Sequence, residues 1–65
     1  SPSASMTLEF ANAVTSSDGT KYGDIDSERL AHMLNALNKK DKKTDEHLMK
    51  MDAIRVILAS RANRA

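Results

Sequence analysis

Asp18–Leu37, DGTKYGDIDSERLAHMLNAL, joins a polar turn holding both glycines of the chain directly to a capped helix with one apolar stripe. Asp26 is a good N-cap residue, and Ile25 before it is placed to pack on Leu30, as in a hydrophobic staple. Leu30, Met33, Leu34 and Leu37 then recur at intervals of three and four, so they share one face, with Glu28, His32 and Asn35 pointing away. This spacing predicts a helix over 27–38 that packs on one neighbour. The run Asn38–Lys43, NKKDKK, breaks the apolar pattern with five charges and reads as a solvated linker.

On either side of this stretch the pattern is again helical. In TLEFANAVTS, residues 7–16, Phe10, Ala13 and Val14 fall on one helical face and Thr7 can serve as N-cap; a strand is the competing reading, because Leu8, Phe10 and Val14 also fit period two. A further helix is expected over 45–61. The Thr44 hydroxyl caps it, Asp45 and Glu46 suit the positive first turn, and Arg55, Arg61 and Arg64 suit the negative end. Its apolar residues form no single stripe: Leu48, Met51, Ile54 and Leu58 take one side, and Met49, Ala53, Val56 and Ile57 much of the other. A helix apolar nearly all round must be buried nearly all round. Two short helices leave much of it uncovered, so those eight residues are expected to bind a partner. The alternative is a sandwich of the two shorter helices across it. The fold class is therefore all-α, with three short helices over about 7–16, 27–38 and 45–61, expected as a helical homodimer.

Length and composition agree with that expectation. At 65 residues the chain allows one domain, over 7–65, and a chain this small buries only about 60% of the surface its unfolded form exposes. With no cysteine, disulfides and thiolate metal sites are excluded, and association is the remaining aid to stability. Residues 1–6, SPSASM, read as a disordered tail or cloning remnant, with Met6 as a candidate start. No apolar run approaches the roughly 20 residues that span a bilayer, so no membrane partner is expected and a cytoplasmic location is. Charge is uneven: residues 1–26 carry Lys21 against four acids, a net −3, and residues 27–65 carry nine Lys or Arg against five acids, a net +4. That is weaker than the dense basic stripe of a duplex-binding domain, and nucleic acid is not the expected partner.

Taken with Asp18 as first position, the twelve residues DGTKYGDIDSER resemble the loop of an EF-hand, as in calmodulin-like proteins and myosin light chains. Asp18 matches the first ligand position, Thr20 the third, Gly23 the sharp turn at position six, Ile25 the apolar position eight and Asp26 position nine. Flanking helices bearing Phe10, Ala13 and Val14 before the loop and Leu30, Met33, Leu34 and Leu37 after it extend the likeness over residues 8–51. The resemblance implies a helix-loop-helix built for calcium. The chain departs from it at Tyr22, which stands at the third oxygen position, and at Arg29, which stands where the bidentate Glu belongs, with Glu28 one residue out of register. Within these 65 residues no second such loop is read.

Other chemistry is sparse. His32 lies away from the apolar stripe and reads as solvated, and His47 lies beside Asp45 and Glu46; no pair of histidines sits at the spacing of a helical metal site. Serines are numerous, but no base and orienting acid can be matched to them, and so short a chain rarely builds a catalytic pocket. Lys39, Lys40, Lys42 and Lys43 suit a solvated linker, with phosphate contact as the functional alternative. Met33, Met49 and Met51 suit helical core or an adaptable protein-binding groove. The function expected is that of a small non-enzymatic interaction or regulatory protein, without cofactor or metal, that pairs with itself and binds another protein through the 45–61 helix. The alternative is a dimeric DNA-binding regulator of the ribbon-helix-helix kind, disfavoured because TKYGDID offers one lysine and two acids where a groove-reading strand is needed.

Since Tyr22 and Arg29 spoil two ligand positions, millimolar calcium is expected to leave helicity and melting temperature unchanged. A clear calcium-dependent rise in the melting temperature, followed by circular dichroism, would overturn this.

Overall fold

The computed structural model describes residues 6–63; the expectations placed on residues 1–5 and Arg64 lie outside them. Within that span the protein is all-α, with α1 at Leu8–Ala13, one turn of 3-10 helix at Tyr22–Asp24, α2 at Ser27–Asn38 and α3 at Asp45–Asn63. Both shorter helices pack on α3.

α1 begins where expected, with the Thr7 hydroxyl accepting from the Phe10 amide at 3.1 Å, but it ends at Ala13 and not at residue 16. Val14 turns extended (φ −64°, ψ 136°), and its carbonyl accepts from the Tyr22 amide at 2.7 Å. The reason is local: Val14 and Thr15 are β-branched, and Ser16, Ser17 and Asp18 compete for backbone partners outside a helix. Thr15 makes an isolated antiparallel bridge with Lys21, but Leu8 and Phe10, two of the residues behind the strand reading, are helical, and no strand forms among the described residues. Residues 20–26, the groove-reading strand of the DNA-binding alternative, instead form the single bridge residue Lys21 and the 3-10 segment.

α2 keeps the expected bounds. Asp26 holds the N-cap position, although its side chain makes no cap hydrogen bond. Ile25 and Leu30, the two members of the predicted staple, both enter the core. α3 runs two residues past the expected end and opens with a reciprocal cap: the His47 amide donates to the Thr44 hydroxyl at 3.1 Å, and the Thr44 amide to His47 Nδ1 at 3.2 Å. His47 thus fills the role that Glu plays in a capping box.

The core consists of Ala11, Tyr22, Ile25, Leu30, Ala53, Ile54 and Ile57, with Met51 also buried on α3. This corrects the reading of α3. Met51, Ala53, Ile54 and Ile57, four of the eight residues assigned to a partner, are closed over by the chain's own α1 and α2. α3 is the central element, and both shorter helices pack on it across one wide arc that takes residues from both of its expected sides, so the chain's own helices form the sandwich. Ala11 and Ala53 are fully buried, and side chains that end at Cβ let packed helices approach closely.

One long-range tie closes the assembly. Arg61, expected to serve the C-terminal end of its own helix, reaches back from α3 to the Gly23 carbonyl (3.2 Å) and the Ser27 hydroxyl (3.0 Å). Gly23 itself lies hard against α1, where a Cβ would meet Asn12 at 2.9 Å. Among the described residues no helix is long and apolar enough to cross a membrane.

Ile57 is 1% exposed. Ile57→Ala is expected to cost about 2–5 kcal/mol, a large part of the roughly 3–10 kcal/mol available to a domain of this size. Ile57→Asp should yield an unfolded monomer at any concentration. Urea denaturation followed by circular dichroism checks both, with exposed Ala59→Ser as a control within about 0.5 kcal/mol.

Candidate functional site

Among the described residues the burial of the core leaves two large apolar side chains exposed, Phe10 at 53% exposure and Leu48 at 46%. They differ in setting. Leu48 stands on the outward side of α3 with exposed Arg55 and Ala59. Phe10 lines an open groove of about 560 Å³ between the end of α1 and the first half of α3. Ala13, Val14 and Met49 supply the rest of its apolar lining, Glu46 and Lys50 its charged lining, and residues 15–17 also border it.

The sequence placed Phe10, Ala13 and Val14 on one face of α1, and they do lie together. That face is the groove wall, however, and Ala11 is the α1 residue that is fully buried in the core, with Leu8 and Val14 packed partly against it. A two-turn helix anchored through an alanine sits close to its neighbour, which leaves the larger Phe10 outside. That contrast, one Phe beside a small residue in a very short helix, is the signal by which Phe10 could have been found from sequence.

Of the eight residues assigned to a partner, Met49 alone lines the groove. Val56 and Leu58 are half-buried against the core, Leu48 is exposed elsewhere, and Met51, Ala53, Ile54 and Ile57 are interior. Glu46 and Lys50 face each other one turn apart at 3.3 Å. Lys50 is partly buried and Glu46 exposed, and a helix-surface pair at this spacing contributes only a few tenths of a kcal/mol, so its stronger effect is to give this part of the surface both signs of charge.

Next to the groove lies the turn of Ser16–Thr20, closed by the Ser16 amide on the Thr20 carbonyl (2.8 Å) and the Gly19 amide on the Ser16 carbonyl (3.0 Å). Gly19 takes φ 91°, a conformation that other residues rarely adopt. Asp18, first position of the EF-hand-like loop, accepts from the Ser16 hydroxyl and from the Thr20 amide at 3.0 Å. Gly23 lacks a positive φ; its small size serves the contact with Asn12. Tyr22, at the third oxygen position, is buried in the core, and burial pushes its phenol above the ordinary value, with Lys50 opposing the rise and Glu46 adding to it. Among the described residues no three of His, Cys, Asp and Glu come together as a metal-holding group. The lysines at 39, 40 and 42 are exposed, and Lys43 donates to the Lys40 carbonyl at 2.9 Å.

Compared with known protein families, with curated proteins and with solved structures, the chain matches none.

The Ser16 hydroxyl, and after it the Thr20 amide and hydroxyl, hold the Asp18 carboxyl down to about 2. A carboxylate whose folded pKa is depressed stabilises above its unfolded pKa and loses that contribution as the pH falls through the folded one, here from about 4 towards 2. A carbon-detected titration of Asp18 is expected to show a midpoint near 2, and Asp18→Asn should flatten the acid limb in that window. A midpoint near the ordinary aspartate value would refute the turn's hydrogen bonding.

Proposed function

We propose that the chain is a small non-enzymatic interaction protein that binds an amphipathic helix of a protein partner in the groove between α1 and α3. The observation that carries this reading is Phe10, half exposed at the wall of an apolar groove in a chain whose other aromatic, Tyr22, is spent in the core. Aromatic side chains and methionine are enriched in protein interfaces, and a few central apolar anchors carry most of their binding energy. A cleft walled by two helices suits a third helix, which presents anchors at intervals of three and four to a groove lined by Phe10, Val14 and Met49. The methionine adapts its shape to the anchor that enters. Glu46 and Lys50, at the rim, fix the register of a partner carrying the matching charges.

This places the binding surface on the flank of α3 and on α1, away from the helix's buried arc. The groove lies among folded elements, so substitutions at Phe10 are expected to spare the fold.

A displayed library of amphipathic helical peptides tests the reading. Peptides should be enriched on the wild-type protein, and Phe10→Asp should weaken their binding at least about tenfold, or 1.4 kcal/mol, with an unchanged circular dichroism spectrum. Failure to enrich any peptide, or equal binding to Phe10→Asp, would overturn it.

A further inference from the structure

Resting on the groove reading above, we infer that its occupant is a second copy of the chain, held in a two-fold contact that seats each Phe10 in the other copy's groove. In a two-fold contact the same patch meets itself, so residue i touches residue j while j touches i. Such a patch must carry both a projecting group and a recess, and both members of any ion pair. This one does. Phe10 is the half-exposed projection, Ala13, Val14 and Met49 line the recess, and Glu46 and Lys50 are the acid and the base.

The charges discriminate between occupants. Glu46 and Lys50 stand one turn apart on α3, about 6 Å along its axis. Two α3 helices crossing antiparallel over that level bring each Glu46 to the partner's Lys50, exchanging the 3.3 Å pair within each of the two helices for two pairs between copies. The patch is neutral as a unit, so two copies meet without like-charge repulsion. A strongly acidic or basic partner would find no complementary field there, in contrast to the run of lysines at 39–43. The chain also gains from pairing: its core contains few large side chains, and association is a common support for domains of this size.

Charge reversal tests the contact in a way that hydrophobic truncation alone does not. Sedimentation of the wild type across a concentration series should show a monomer–dimer equilibrium. Glu46→Lys and Lys50→Glu, each alone, set like charges against each other twice and should weaken the dimer at least about tenfold. An equimolar mixture of the two should regain the wild-type dimer, because both cross-pairs are then opposite in sign, and the double variant E46K/K50E should dimerise on its own. Phe10→Asp should remain monomeric. A wild type that stays monomeric to about 1 mM, a mixture no heavier than its components, or a dimer indifferent to Phe10→Asp would overturn the inference. A monomeric wild type that still takes up helical peptides at the groove separates the two claims: the second copy is then wrong and the binding surface stands.

Discussion

The burial of Ile54 and Ile57 between two shorter helices is the contact on which the rest of this structure depends. A buried Leu or Ile contributes roughly 1.5–3 kcal/mol relative to an exposed one, and only a handful of large side chains in this chain reach that state. α1 has two turns and α2 three, lengths at which an isolated helix is marginal in water. Neither persists without α3 to pack on. In turn α3 needs both of them, because its apolar residues are spread too widely for a single neighbour to cover.

Given that central contact, the chain between α1 and α2 must bring Tyr22 and Ile25 into the same core within a dozen residues. It does so with a tight turn at Ser16–Thr20, the bridge of Thr15 to Lys21 and one turn of 3-10 helix. Each glycine answers a different constraint. Gly19 supplies a positive φ, and Gly23 supplies room for Asn12. The Gly23 carbonyl, left outside regular helix, is the acceptor that Arg61 reaches from the far end of α3. One residue therefore links the middle of the chain to both α1 and α3.

What the sequence made legible follows from how local each signal is. The stripe of Leu30, Met33, Leu34 and Leu37, the Thr7 and Thr44 caps and the α2 bounds depend on near neighbours, and they were readable. The partition of α3 was not. Periodicity sets Met51 and Ile54 on one side and Ala53 and Ile57 on the other, whereas all four share one wide buried arc, because which part of an apolar helix is covered depends on where distant elements dock. Arg61 was assigned to its own helix end for the same reason: its partners lie 34 and 38 residues away, and no local rule reaches them. The motif-like order of Asp18, Thr20 and Gly23 is legible as a turn, but of the two hydrogen bonds that occupy Asp18 one comes from Thr20 and the other from Ser16, which lies outside the twelve-residue frame.

The groove follows from the same packing. Ala11, fully buried, brings α1 close to α3, and a helix held close by a small residue must turn its larger neighbour outward. Ala11 joins Ala53, Ile54 and Ile57 in the core, while Phe10 stays half exposed beside it. The apolar surface at the α1–α3 cleft is thus a consequence of how the core is closed, and it cannot be removed by rotating α1 without losing that closure. Phe10 therefore stands at the wall of the cleft with the paired charges of Glu46 and Lys50 beside it, an apolar surface set by the way the core is closed.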